Sequence, residues 1–191
     1  MNISEFDKLM RTVISPVLVG EEGFSLRNGT FFKDLPNQVR QVVMFDFDAR
    51  TKKTFRIILG FNSPVIAESL PPYEAGVFGV RYLSGSHLSD TPSNFPCFDR
   101  SSALRSLEIV KRSLVEAALP WIASANSMEK LAEIAEAQYP FVKGKLYLYA
   151  GLAGQARVYL SNHLTYLLRQ VKTLEVTQGI TDTQELLDRC L

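Results

Sequence analysis

The chain has 191 residues, 46% of them hydrophobic, with 21 Lys and Arg against 20 Asp and Glu. This length and apolar content suffice for one substantial core. The near-neutral charge of both halves excludes the strongly basic surface that is typical of nucleic-acid-binding proteins. Charges between Glu5 and Arg11 interrupt any signal-peptide core, and no 18 apolar residues run together. We therefore expect a soluble cytoplasmic protein that contacts neither nucleic acid nor a membrane.

The two cysteines, Cys97 and Cys190, lie far apart in the chain. They form no C-x-x-C unit of the kind that binds zinc or exchanges disulfides, and they need not pair with each other. A reducing compartment is the simpler assumption, and we expect no structural metal and no cofactor.

The N-terminal segment predicts an amphipathic helix. Its apolar residues recur with the 3.6-residue period of a helix. Ser4 stands where an N-cap would, and Ile3 could form a hydrophobic staple. The apolar stripe consists of Phe6, Leu9, Met10, Val13, Ile14 and Val17.

The run from Gly23 to Phe61 is the most informative part of the chain, because its apolar residues alternate with period two, as in antiparallel strands. The Asn28-Gly29 pair is a strong hairpin signal, since both residues tolerate a positive φ. Two further strands are separated by a charged tip at residues 50–53, and residues 77–83 predict another strand. The expected core face consists of Val39, Gln41, Val43, Phe45, Phe47, Phe55, Ile57, Leu59 and Phe61.

Residues 84–100 have no period and contain two prolines, which is typical of a functional loop or a linker. From Ser101 the pattern is helical, and Pro120 is expected to kink or end the first helix of this region. Its stripe consists of Leu104, Leu107, Val110, Leu114, Ala118 and Trp121.

The last third of the chain predicts further helices. Asn126 and Ser127 can cap a helix over residues 128–138, and Pro140 opens the next element. One long apolar stripe then runs over residues 156–174, before a small terminal helix that begins at Thr181.

Several motifs of the first half occur together in one known family. They are the helix before Gly23-Phe24, the segment Asn28-Gly29-Thr30-Phe31, the strand from Val39 to Phe45, and Phe55-Arg56-Ile57-Ile58-Leu59-Gly60. In these motifs the first half to two-thirds of the chain resembles the bacterial family catalogued as domain of unknown function 4304. The chain departs from that family at Ile58, where a polar residue is expected, and it lacks paired tryptophans after the sheet. The family assigns no catalytic residues, so the resemblance implies a fold and no chemistry.

Two groups of residues have a chemical interpretation beside a structural one. His163, on the last long stripe, could be a general base, although a hydrogen-bonded core histidine is the commoner role. One loop contains the ligand types of a thiol or metal site, but their spacing matches no metal motif. These loop residues are His87, Asp90, Cys97 and Asp99.

The segment Gly151-Leu152-Ala153-Gly154 precedes a predicted helix. Its backbone N–H groups could bind an anion. It lacks the Lys-Ser/Thr pair of a phosphate loop and follows no strand. Close helix packing through small residues is the stronger explanation.

The alternation Phe45-Asp46-Phe47-Asp48 places two carboxylates on the sheet. They could serve acid–base chemistry or bind a cation, or form cross-strand ion pairs with arginines on a solvated face. This polar face is the preferred functional surface, and no residue is assigned as catalytic, cofactor-binding or metal-binding. The candidate partner-binding residues are Asp46, Asp48, Arg56 and Arg81.

Together these patterns predict an α+β fold. An antiparallel sheet of about five strands, in residues 1–100, packs with the N-terminal helix, and residues 101–191 form a helical region that packs with the first as one compact unit. The favoured function is a non-enzymatic protein-binding module, in its most concrete form a bacterial immunity protein that neutralises a cognate toxin. The alternatives are a hydrolase or small-ligand enzyme with a site between the 84–100 loop and the helical half, and a structural or phage-related assembly component.

Overall fold

The computed structural model describes residues 1–63, 66, 78–135 and 139–191, with Phe78 described by its backbone alone. Its strands are β1 (Ser25–Arg27), β2 (Thr30–Asp34), β3 (Arg40–Phe47), β4 (Thr54–Asn62), β5 (Phe78–Ser84), β6 (His87–Ser89) and β7 (Phe95–Pro96). Its helices are α1 (Ile3–Ser15), α2 (Arg100–Ser113), α3 (Leu119–Ser124), α4 (Met128–Ile134), α5 (Pro140–Tyr149), α6 (Ala153–Leu167) and α7 (Leu174–Asp188). π-Helical turns follow α1 and α2, at Pro16–Glu21 and Leu114–Ala118.

The chain divides into two compact units. The first comprises Met1–Pro36, Arg40–Phe61 and Val80–Ser124, and the second comprises Asn37–Val39, Asn62–Gly79 and Ala125–Leu191. The first unit therefore holds nearly all of the sheet with α1 to α3, and the second holds α4 to α7. The division at residue 100, and the packing of the two regions as one unit, stay predictions.

The predicted α+β class is confirmed, with a larger sheet than expected. The strand order is β1-β2-β3-β4-β5-β6, and β7 pairs with β4. The segment 84–100, predicted to be without structure, contributes β6 and β7. Strands of two and three residues are too short to show a period in the sequence, so only their pairing partners reveal them.

The predicted hairpin at Asn28-Gly29 is confirmed. Asn28 has φ 50° and Gly29 has φ 75°, and Arg27 lies opposite Thr30 in the register of β1 and β2. Two positive φ angles in a two-residue loop match the twist of the flanking strands, which explains the choice of Asn-Gly.

Helix α1 covers one face of the sheet. The ring of Phe6 lies 4.8 Å from that of Phe55 and 5.2 Å from that of Phe47. Phe55 also stacks on Phe95 at 5.5 Å, so β7 extends the same core. Of the expected core face, Phe47 is half-buried. The buried members are Val39, Gln41, Val43, Phe45, Phe55, Ile57, Leu59 and Phe61.

The N-cap of α1 is Asn2, and the prediction of Ser4 is wrong. Asn2 Oδ1 accepts a hydrogen bond from the backbone N–H of Glu5 at 2.9 Å, and the Glu5 carboxylate accepts one from the backbone N–H of Asn2 at 3.0 Å. This reciprocal capping box needs an acidic or amide side chain of suitable length three residues after the cap. Glu5 meets that requirement for Asn2, whereas Ser4 has the shorter Asp7 at that spacing.

The helical run that starts at α2 does not end at Pro120. The Leu119 amide bonds to the Leu114 carbonyl, which closes a wide π turn, and α3 then continues to Ser124. Pro120 is the second residue of α3, and the first turn of a helix tolerates a missing N–H group. Of the two predicted effects of Pro120, a kink or an end, the end is wrong, and the sequence period does not reveal the wide turn that precedes the proline.

The last long stripe is two helices, and the prediction of a single helix over residues 156–174 is wrong in its second half. Helix α6 ends at Leu167, and Thr173 caps a new helix by accepting a hydrogen bond from the Val176 amide at 3.2 Å. The predicted start at Thr181 lies inside α7. Thr173 sets the boundary, because an N-cap side chain that accepts a hydrogen bond from an amide of the first turn favours a helix start at that position.

The predicted starts of α4 and α5 are confirmed, but α4 is shorter than the predicted helix over residues 128–138, because it ends at Ile134 and Ala135 has a non-helical ψ of 139°. Ser127 is the N-cap of α4 and accepts a hydrogen bond from the Lys130 amide at 3.2 Å. Pro140 is the first residue of α5. The predicted end of the first of these helices, at residues 136–138, lies outside the described residues.

Candidate functional site

Three of the four candidate residues line one open pocket of about 620 Å³ in the first unit. The pocket lies at the turn between β3 and β4, and Asp46, Asp48 and Arg56 contribute to it together with Arg50 and Asn94. We call it the hairpin pocket. The pleat leaves Asp46 and Arg56 on the face opposite the core residues Phe45 and Phe55, and Phe47 and Phe55 also line the pocket.

Asp46 and Arg56 form an ion pair across β3 and β4. Arg56 Nε donates to Asp46 Oδ2 at 2.6 Å, and each side chain is 40% exposed. The predicted cross-strand pair therefore exists. A pair this exposed adds little to folding stability, but it presents a fixed arrangement of two opposite charges to the pocket.

Asp48 shapes the turn itself. Its carboxylate accepts hydrogen bonds from the amides of Arg50 at 3.0 Å and Thr51 at 3.2 Å, and from the Thr51 hydroxyl at 2.5 Å. The Thr51 hydroxyl, followed by the backbone amides, lowers the pKa of Asp48. Asp48 is therefore a poor general base, and its role is to hold the turn that carries the exposed Arg50.

Arg81 does not line the hairpin pocket. Its Nη1 forms an ion pair with Asp90 Oδ1 at 2.8 Å. Strand alternation places Arg81 on the same face of β5 as Leu83, which is fully buried. The structure thus brings Asp46, Asp48 and Arg56 together and gives Arg81 a different partner.

The loop residues proposed as a thiol or metal site have separate structural roles. Cys97 is buried, and desolvation raises the pKa of its thiol to about 11, so it is protonated at neutral pH. Asp99 is the N-cap of α2 and accepts a hydrogen bond from the Ser102 amide at 2.7 Å. Asp90 pairs with Arg81, and His87 is exposed on β6. Within the described residues, no three potential metal ligands group together.

His163 is half-buried in the second unit rather than hydrogen-bonded in a core. Its ring lies 5.1 Å from Phe141 and 6.4 Å from Tyr166. Desolvation lowers the pKa of His163, so the neutral imidazole is favoured. Its role is aromatic packing between α5 and α6.

Close helix packing through a small residue occurs at Gly144, and the prediction for Gly151 to Gly154 is wrong on this point. A Cβ at Gly144 would lie 2.6 Å from Leu160 Cγ, whereas one at Gly154 would meet nothing within 4 Å. Gly151 has φ 77° and closes the turn between the two helices, which is the left-handed position that glycine favours after a helix.

Sequence reasoning missed two features of the pocket and one of the second unit. Arg50 and Asn94 line the pocket, and the signal for the turn was Asp48 three residues before Thr51, since Asp side chains accept hydrogen bonds from amides two and three residues ahead.

Lys143 is buried, and its Nζ donates to the Ala135 carbonyl at 2.8 Å, where α4 ends. A cation at a helix C-terminus is favourable, but a buried lysine has no sequence signature.

Comparisons with family models, with curated proteins and with solved structures find no match to this chain. Of the helices that the structure describes, none is long and apolar enough to cross a membrane.

Proposed function

We propose that the chain is a non-enzymatic protein-binding module that recognises its partner with the hairpin pocket. The observation that carries this proposal is the charge pattern of the pocket, in which Asp46 and Arg56 lie 2.6 Å apart and each side chain is 40% exposed. Charges of both signs in a fixed, accessible arrangement favour specific and fast association with a complementary protein surface.

The chemistry of the pocket supports binding over turnover. Its two carboxylates are already engaged, that of Asp46 with Arg56 and that of Asp48 with the turn amides. A general base with a pKa near neutrality is what acid–base catalysis requires, and the pKa of Asp48 moves in the opposite direction. The exposed Arg50 at the tip is suited to a carboxylate or an aromatic face of a partner.

The finer form of the proposal is a bacterial immunity protein that neutralises a cognate toxin, with a fold of the family catalogued as domain of unknown function 4304. Such a protein requires a complementary surface and no catalytic group. A toxin domain encoded immediately beside this chain would supply the partner. We expect cells that express that toxin to survive when they also carry the wild-type chain. We expect them to die when they carry the pocket variants described next.

The test of the site is a charge swap. In the D46R/R56D double variant the ion pair is kept and its direction is reversed, so we expect the fold to persist while the association rate with the partner falls about tenfold or more. The partner is first identified by a photo-reactive residue in place of Arg50, with one in place of the exposed Arg27 on β1 as the comparison. Association rates are then measured by biolayer interferometry.

The matched control is a second ion pair of the same sheet. Asp34 and Arg40 form two bonds at 2.6 and 2.9 Å on β2 and β3, outside the pocket. The D34R/R40D swap should leave association unchanged. Equal rates for wild type and D46R/R56D, or equal losses in both swaps, would assign the pocket charges to the solvated surface and overturn the site.

A further inference from the structure

The turn between α6 and α7 in the second unit carries a cluster of exposed apolar side chains. Leu168 is 63% exposed, Val171 is 83% exposed and Leu174 is 87% exposed, while Tyr166 at the end of α6 is 58% exposed. We call residues 166–174 the α6–α7 turn. Side chains this accessible protrude from the surface, because a groove or a flat face would cover more of their area.

The helices below hold this turn in place. Leu160 of α6 and Leu186 and Cys190 at the other end of α7 belong to one buried cluster. Near the turn, a Cβ at Gly179 would lie 3.3 Å from the Leu167 side chain, and Thr173 caps α7. The apolar exposure therefore belongs to a turn between two packed helices, and it is not the fraying of a chain end.

The charged side chains of the turn itself have one sign. Arg169 and Lys172 are its two charged residues, and residues 139–174 contain no Asp or Glu. Both of these cations are exposed. The first acidic residue, Glu175, follows in the first turn of α7.

We propose that the α6–α7 turn docks on an anionic phospholipid bilayer, with the three aliphatic side chains below the headgroups and the two cations at the phosphate level. Protruding apolar residues need a partner that deforms around them, and a lipid surface does so without a complementary cleft. Arg169 and Lys172 are attracted by anionic headgroups, and a tyrosine such as Tyr166 is favoured at the interface.

The same features argue against a second copy of this chain as the occupant. A twofold-related contact between two such turns would bring their cations toward each other, and like charges across an interface oppose association. Contact with one leaflet also needs no helix that crosses the membrane. The inference goes beyond both the proposed protein-binding function and the sequence expectation that the chain contacts no membrane.

Co-sedimentation with sucrose-loaded vesicles tests the proposal. The probes are vesicles of phosphatidylcholine alone and of phosphatidylcholine with phosphatidylglycerol. The wild-type chain should pellet with the anionic vesicles and remain in the supernatant with the neutral ones. The V171Q/L174Q variant should lower the partition coefficient about tenfold, since it removes two insertable side chains. Two exposed valines outside the turn, Val115 and Val158, provide the matched V115Q/V158Q control, which should bind as wild type does.

The charge contribution has its own matched pair. The R169Q/K172Q variant should lose about thirtyfold in partition at low salt, at about 1 kcal/mol for each cation near an anionic surface. The K8Q/R112Q variant removes one lysine and one arginine from exposed positions elsewhere and should retain binding. Equal losses of partition in the two variants would show that vesicle binding depends on net charge alone, and they would overturn the assignment of the turn.

Insertion is measured with a fluorescent label. Both native cysteines are buried, so V171C and V158C can each be labelled selectively with a nitrobenzoxadiazole dye. Anionic vesicles should shift the emission of the label at position 171 to shorter wavelength and leave that at position 158 unchanged. A wild-type chain that does not pellet with anionic vesicles overturns the proposal. The proposal is also overturned if the wild-type chain is a dimer in the absence of vesicles and the V171Q/L174Q substitutions dissociate that dimer. A second copy of the chain would then cover the turn.

Discussion

At the scale of single residues, the sequence pattern predicts burial well and polar roles poorly. Alternation alone placed Phe55, Ile57 and Leu59 in the core, and all three are at most 1% exposed. The same alternation placed Asp46 and Asp48 side by side as equivalent surface charges. The structure distinguishes them, because Asp48 has three donors within reach in its own turn and Asp46 has Arg56 across the strands. The positions of such hydrogen-bond donors depend on the fold, so the alternation of apolar and polar residues in the sequence does not predict them.

Phe55 tests the core at this scale. Its ring contacts those of Phe6, Phe45 and Phe95, so Phe55→Ala should lower the free energy of unfolding by about 3 to 5 kcal/mol through the cavity it leaves. Denaturant unfolding gives the value. Phe98, which is 55% exposed, is the control, and Phe98→Ala should change stability by less than about 0.5 kcal/mol. A loss below about 1 kcal/mol for Phe55→Ala would contradict the assigned packing.

Cys97 gives a prediction about pH. The pKa of its thiol rises from 9.0 to about 11 because burial disfavours the thiolate. Between these values the unfolded chain loses the proton and the folded chain keeps it, so the free energy of unfolding should fall as pH rises from 9 toward 11. Urea unfolding across this range measures the fall, and Cys97→Ala should make it shallower. An identical pH profile in the variant would mean that the thiol titrates normally in the fold.

At the scale of elements, strands and helices follow from the sequence, while their ends follow from local hydrogen bonds. The period of α1 was evident, but its start was set by the Asn2–Glu5 capping box. The apolar stripe continued past Leu167, yet Thr173 starts a new helix. The helix after Ser101 passes through Pro120 because a π turn precedes it. The first and last residues of a helix depend on single capping side chains and on wide turns. The period of apolar residues is averaged over many positions and does not reveal either.

The contact between α5 and α6 is the element-scale test. Gly144→Ala would place a methyl group 2.6 Å from Leu160 Cγ, and Leu160 is fully buried and has little room to move. Overpacking of this kind should cost about 1 to 3 kcal/mol of stability. Gly154→Ala is the matched change, because nothing lies within 4 Å of the new methyl group. Gly154→Ala should leave stability unchanged or raise it by up to about 1 kcal/mol, since alanine is the better helix former. Thermal unfolding measures the stability of the two variants side by side. A higher stability of Gly144→Ala than of Gly154→Ala would contradict this packing.

At the scale of the whole molecule, composition conceals an uneven distribution of charge. The chain has a formal net charge of +1, yet residues 139–174 hold five of its 21 cations and none of its 20 acids. A division of the chain into halves averages this segment with the acidic residues of α7, so both halves are close to neutral. The helix bounds place Arg169 and Lys172 of this segment together in the turn between α6 and α7. The hairpin pocket, with both signs of charge, and the α6–α7 turn, with one sign, therefore suit different kinds of partner.

This asymmetry predicts how the chain behaves on an ion exchanger. The sequence pI is about 7.7, so at a pH of about 8.5 the whole chain is negative, but a local cluster of cations can still bind an anionic matrix. We expect retention on a cation exchanger at this pH in low salt. The R169Q/K172Q and K8Q/R112Q variants have the same net charge, and only the first should elute early. Coelution of the two variants would show that net charge governs retention and that the α6–α7 turn has no local field of its own.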